Sequence, residues 1–326
     1  MHGSNRKAML IRLNEHPEER QATLDNVIRL LRSQFPPPSP LQIANMEVWP
    51  RLTKVLPHVI SALHAFERAW PRMPGSMLFA KLISDVSGMD LYDRGLISEA
   101  YKLNSAVVSM LDSLQHPLET PLRGDALTIL GLCTDNMAIT KRREGLAIRR
   151  KCLDVRQRCF KAIPPEKVTL DDKIRLYNSY TDLVCSQQQI NDFEGVQENL
   201  ALCFEQYKIW GPEDDITLAY EYAKYYNQIS YVLLWENRGD EAVAYSDKAY
   251  ALIEKASPGT GLSRVYLSDY AHILFQNGDR REARSVLETL YEISERECGK
   301  DNLRTLEISL NMAIMDFLMG DFVNVR

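Results

Sequence analysis

The chain has 326 residues, 45% hydrophobic and 25% charged, a balance that excludes a disordered polypeptide. Its 15 glycines and 15 prolines are fewer breakers than a turn-rich β protein needs. The formal net charge of −5 gives the whole chain no nucleic-acid footprint. No apolar run approaches the roughly 20 residues that cross a bilayer, and the N-terminus lacks a secretory h-region and cleavage site. Cys133, Cys152, Cys159, Cys185, Cys203 and Cys298 form no C-x-x-C pair and fall mostly in apolar helical runs. They read as reduced core thiols of a cytoplasmic protein.

In chain order, the spacing predicts first an amphipathic helix from Glu18 to Phe35, with Leu24, Val27, Ile28, Leu31 and Phe35 on one face. Pro17 suits its first turn. Pro36-Pro37-Pro38-Ser39-Pro40 comes next as a stiff extended linker. A second helical stretch runs from about Leu52 to Trp70, with Pro57 starting or kinking it. Residues 1–74 therefore read as a helical cap over the open face of the first helical unit beyond them, or as a partner-docking arm.

A helical-repeat region is expected over residues 75–326, and two rulers mark its period. Pro71, Pro117, Pro164, Pro212 and Pro258 are separated by 46, 47, 48 and 46 residues. Proline bounds helices because it lacks an N–H and clashes with the preceding turn. Half a period away, an acidic residue precedes a small one at Glu99-Ala100, Glu144-Gly145, Glu194-Gly195, Glu241-Ala242 and Glu282-Ala283. The small residue lets a second helix approach the first. Between the rulers run apolar helical stripes such as Ile216, Ala219, Tyr222, Ala223, Tyr226, Ile229, Leu233 and Leu234. The unit is a helix–turn–helix of about 46 residues in tandem. The fold class expected is all-α: a right-handed superhelical solenoid of antiparallel helix pairs, with about 5.5 repeats.

With Gly95, Gly239, Gly278 and Gly320 as turn glycines, Gly88, Val232, Ala271 and Ala313 stand seven residues earlier. Ala100, Ala244, Ala283 and Val325 stand five later. This pattern resembles the tetratricopeptide repeat (TPR), in the long-helix version of kinesin light chain. Gly211-Pro-Glu-Asp-Asp-Ile-Thr217-Leu218 and Gly299-Lys-Asp-Asn-Leu-Arg-Thr305-Leu306 look like that version's inter-repeat loop. Trp49 to Val59, Glu144 to Lys151, Leu176 to Tyr180 and Ala256 to Gly261 are similar to the C-terminal repeats of fungal NLR-like STAND NTPases. In that class the repeats act as sensor for an upstream nucleotide switch. This sequence has no G-x-x-x-x-G-K-[ST] loop, so the switch is missing here.

Thr305 to Met319 reads as the first helix of a sixth unit whose partner would begin near Asp321-Phe322. The sequence-level expectation is a shortened gene product, with an apolar last helix able to self-associate.

The segment 141–161 carries nine basic residues against Glu144 and Asp154. Arg143, Arg150, Lys151 and Arg158 lie opposite its apolar stripe, with Arg149 beside them in sequence. They form either an anion or acidic-peptide site or the solvated outer face of a second helix. No interleaved aromatic platform accompanies them, which argues against nucleic acid. The histidines have no metal-ligand spacing, and no nucleophile elbow is present. No cofactor, metal or catalytic residue is expected. Tyr220, Tyr222, Tyr225, Tyr226 and Tyr231 read as core or groove lining. By repeat register Asp85, Met89, Tyr92, Ile229, Leu233, Ser268, His272 and Phe275 are candidates for a concave groove, His272 as ligand contact or structural residue. The function expected is non-catalytic recognition of a protein or peptide, with neither nucleic acid nor membrane as partner. The resemblance implies a sensor segment without its switch; a stand-alone scaffold of a metabolic complex is the alternative.

Overall fold

A computed structural model describes residues 11–35, 49–69, 73–88, 91–92, 94–114 and 120–320. The described residues contain helices and no strand. The helices are α1 (Pro17–Gln34), α2 (Trp49–Glu67), α3 (Met77–Val86), α4 (Ile97–Ser113), α5 (Pro121–Met137), α6 (Arg142–Lys161) and α7 (Leu170–Gln189). Then come α8 (Phe193–Trp210), α9 (Ala219–Trp235), α10 (Gly239–Ala256), α11 (Gly261–Asn277), α12 (Arg280–Cys298) and α13 (Leu303–Met319).

Local chemistry sets the boundaries. Several odd-numbered helices open on a side-chain cap that satisfies an orphan N–H. Ser76, Thr120, Thr169, Thr260 and Asn302 do this for α3, α5, α7, α11 and α13. At Thr169 the cap is reciprocal, because Asp172 accepts from the Thr169 backbone N–H. Pro164, Pro212 and Pro258 fall between α6 and α7, α8 and α9, and α10 and α11. Pro71 and Pro117 lie outside the described residues.

Most turns inside the pairs use a left-handed residue, the α5–α6 turn excepted. Gly278 (φ 102°) supplies it between α11 and α12. Between α9 and α10 the structure corrects the sequence reading: Asn237 (φ 59°) makes the turn, and Gly239 is already the first residue of α10. Gly239 serves close approach instead, since a Cβ there would stand 1.7 Å from Asn277 Oδ1. Gly145 and Gly195 show the role expected of the small residue. Their Cβ atoms would lie 2.0 Å from Asp135 Oδ1 and 1.9 Å from Gln187 Nε2, on the preceding helices.

Each helix packs on its chain neighbours, and α3, α5, α7, α9 and α11 also touch in series. That second row is what makes the array a solenoid: one helix of each pair forms an inner wall and the other the outside. The apolar core runs between the two rows. At the N-terminal end Ile28, Leu52, Phe79, Ile83 and Val107 belong to one buried cluster, so α1 and α2 share a core with the first pair. Val27 departs from the expected buried face and is exposed. The Pro-rich segment 36–40 is outside the described residues. Pro57 sits within α2. Further on, Tyr207, Tyr222 and Tyr226 fill the core between α8 and α9, and Phe204 stacks on Tyr225 at 4.3 Å. Burial of each such side chain contributes about 1.5–3 kcal/mol.

The cysteines are free, with Cys133, Cys152 and Cys203 buried. At the far end Leu306, Leu310, Ile314 and Phe317 leave an apolar face of α13 uncovered among the described residues. Asp321 and Phe322, where a partner helix is expected, lie outside them.

Candidate functional site

The inner row of helices encloses a cavity of about 240 Å³, walled by α5, α7, α9 and α11. A second cavity of about 230 Å³ adjoins it, sharing Tyr92, Asn136, Val265 and Asp269 and continuing to α13. The floor of the first is a buried chain of charges that crosses three repeats. Arg149 Nε lies 3.4 Å from Asp135 Oδ2 on α5, and its Nη1 lies 3.2 Å from Asp182 Oδ2 on α7. Lys224 on α9 reaches the other Asp182 oxygen at 2.5 Å. Ser186 donates to Asp135 at 2.9 Å.

Arg149 reaches this floor although it sits on α6, an outer helix. It does so through a slot opened by Gly131 on α5, where a Cβ would stand 2.7 Å from Arg149 Cδ. Gly124 opens a matching slot for Arg156, whose guanidinium pairs with Asp125 at 2.6 Å. The two glycines are seven residues apart, and so are the two arginines. Arg175 joins this second group through Asp125 (3.3 Å) and Asp171 (2.9 Å).

Burial works against every charge here, and the pairs decide which survives. Burial opposes ionisation of Asp182, but Lys224 and Arg149 outweigh it and hold its pKa below the usual carboxylate range. Asp135 has one guanidinium for partner; burial outweighs Arg149 and Ser186 and its pKa rises. Lys224 is held above its ordinary value, because Asp182 more than offsets burial.

At the α11 side stands Asp269, which accepts from Asn227 Nδ2 at 2.7 Å and from the Tyr231 hydroxyl at 3.0 Å. The apolar and aromatic part of the lining includes Leu132, Tyr220, Leu262, Val265 and Tyr266, and Thr128, Asn136, Asn178, Gln189 and Gln228 add neutral polar groups.

The groove candidates separate. Tyr92 lines both cavities and Ser268 lines the second. Ile229 and Leu233 do not: they pack in core clusters with Val184 and Val232, and with Ala242 and Ile273. The groove face of α9 is instead Tyr220, Lys224, Asn227 and Gln228. Phe275 packs among Ala271, Leu287 and Met315. Asp85 turns toward the N-terminal helices and pairs with Arg32 of α1 at 2.5 Å and with Lys81 at 3.6 Å. His272 lines neither cavity; its ring lies 6.0 Å from Tyr231. Met89 lies outside the described residues.

The basic segment divides as well. Arg143, Arg150, Lys151 and Arg158 are exposed on α6, and Arg158 pairs with Asp154 one turn back. Arg149 does not belong with them: it is 3% exposed and part of the groove floor. Reading α6 by itself hid this. The signal that would have found it is the pair of helical glycines facing a pair of arginines at equal spacing. Among the described residues no group of three or more His, Cys, Asp or Glu is placed to hold a metal. No helix there is long and apolar enough to cross a membrane.

Inner and outer helix rows around a continuous groove define an all-α helical-repeat solenoid. No family model and no curated protein matches the chain. Among solved structures it is similar to the nearly identical TPR-like repeats of a kinesin-light-chain-type protein from Podosopora anserina. That match has 15% identity and a TM-score of 0.40, covering 67% of this chain and 96% of that one. BtubC (BKLC) from P. vanneervenii is 12% identical with a TM-score of 0.45, covering 70% and 86%. The assembly chaperone of RpL4 (Acl4) is 13% identical with a TM-score of 0.41, covering 85% and 97%.

Proposed function

We propose that the chain is a non-catalytic protein-binding module that takes an extended segment of a partner along its inner groove. The observation that carries this reading is the pair of adjoining cavities. They run from α5 to α13 on one wall, the first mainly apolar around a set of paired charges and the second more polar. Concave apolar walls with a few oriented polar groups are how binding sites obtain affinity and register together. Inner helices of a solenoid present such walls repeat after repeat. The resemblance of Trp49 to Val59 and of Glu144 to Lys151 to fungal NLR-like repeats supports a sensor role for that binding.

The test is positional. A photo-crosslinking residue at Val265, in the groove wall, captures a partner protein from the native extract, and the same residue at Lys151, on the exposed side of α6, does not. Capture at Lys151 and not at Val265 would move the site to the basic outer face.

A further inference from the structure

Every cation of the first cavity has an acidic partner: Arg149 has Asp135 and Asp182, Lys224 has Asp182, and Arg156 and Arg175 share Asp125. Arg175 also reaches Asp171. In the second cavity Arg264 pairs with Glu297, and Arg304 with Glu307. Asp269 belongs to both cavities and is held by neutral donors, Asn227 and Tyr231. Asp269 is thus the one carboxylate lining these cavities that no lysine or arginine pairs with among the described residues.

A second observation points the same way. Asn227 is 5% exposed and lines the cavity, and its Oδ1 has no hydrogen-bond donor. Its orientation is fixed, because only the amide nitrogen can donate to Asp269. A buried carbonyl without a donor costs roughly 1–3 kcal/mol, so it favours whatever ligand brings one. A carboxylate beside a free carbonyl, walled by Val265, Leu262 and Tyr266, asks for a multi-donor cation on an apolar stem.

We infer that the Asp269–Asn227 pair is the specificity point of the groove and takes the side chain of a lysine or arginine from the bound segment. This rests on the groove being the binding surface. Burial raises the Asp269 carboxyl above the usual range, against hydrogen bonds from Asn227 and Tyr231 and the nearby His272. Burial also lowers the pKa of His272, so that ring does not replace the missing cation at neutral pH. An incoming ammonium or guanidinium removes the penalty that Asp269 carries.

Capped tripeptides serve as probes: Leu-Arg-Leu, Leu-Lys-Leu, Leu-Gln-Leu and Leu-Glu-Leu, titrated against the full chain and followed by NMR. The two basic peptides are expected to bind about tenfold or more tighter than the other two, as one charge-assisted hydrogen-bonded pair implies. In Asp269→Asn that preference falls to within about twofold. If the variant does not fold, the wild-type Asp269 carboxyl carbon gives the readout, with a pKa that falls on addition of Leu-Arg-Leu. Equal binding of all four peptides, or preference for Leu-Glu-Leu, overturns the inference and leaves the groove as binding surface. Failure of the Val265 cross-link overturns the groove reading itself.

Discussion

Arg304 on α13 stands over the ring of Tyr92, its guanidinium carbon 4.5 Å from the ring centroid, across 212 residues of sequence. Beside it Asn302 donates to the Arg94 carbonyl at 2.9 Å, and a Cβ on Gly95 would lie 3.3 Å from Leu303. The turn of the first pair thus touches the last described helix of the array, and Tyr92 forms part of both cavities. A cation over an aromatic face contributes about 0.5–2 kcal/mol, small enough to open when a ligand enters. Arg304→Ala with Asn302→Ala is expected to raise the radius of gyration in small-angle scattering while far-ultraviolet circular dichroism stays unchanged. An unaltered radius would mean that the ends are held together by the curvature of the array alone.

The slots and close approaches that bring helices together predict which glycines resist substitution. Gly145→Ala places a methyl 2.0 Å from Asp135 Oδ1, and that carboxylate is tied to Arg149 and Ser186. The α5–α6 contact must widen, at about 1–3 kcal/mol. Gly88→Ala is the control, because its Cβ meets nothing closer than 3.6 Å. Denaturant unfolding should show a lower midpoint for the first and a near-wild-type midpoint for the second; equal midpoints would mean that close approach at Gly145 does not limit packing.

The repeat was legible in the sequence because turn chemistry is local. Pro164, Pro212, Pro258 and Gly278 act on the residues beside them, so their spacing shows the period of the fold. The groove was less legible because an inner helix is covered on most sides. Its apolar stripe, with Ile229 and Leu233, is core, and the groove takes what remains: Tyr220, Lys224, Asn227 and Gln228. Arg149 was hidden for a second reason. Its environment is set by Gly131 on another helix and by Asp182 on a third. No reading of a single helical face contains that information.

Arg149 also makes a testable centre of stability. Arg149→Met removes a buried cation and leaves Asp135 and Asp182 facing each other with less compensation, a change worth about 3–5 kcal/mol. The loss should be smaller at pH 5 than at pH 8, because protonation neutralises the stranded carboxylates as pH falls. Adding Asp135→Asn should recover part of it. A penalty that is the same at both pH values would show that lost packing, not lost charge, sets the cost.

Glu221 on α9 gives the sharpest dependence on pH. It is 1% exposed, and burial pushes its pKa up to about 8 against the pull of Lys224 and of the Asn178 side chain. The native state therefore holds one proton more than the unfolded chain between pH 4.5, the ordinary value for this group, and about 8. Stability must fall as pH rises through that window and level off above it. Glu221→Gln keeps the shape without the ionisation. Its melting temperature should match wild type near pH 5, exceed it increasingly up to about pH 8 and keep a constant lead above that, the underlying stability difference being at most about 5 kcal/mol. Parallel melting curves for the two proteins from pH 5 to pH 9 would mean that water reaches Glu221 and solvates its charge.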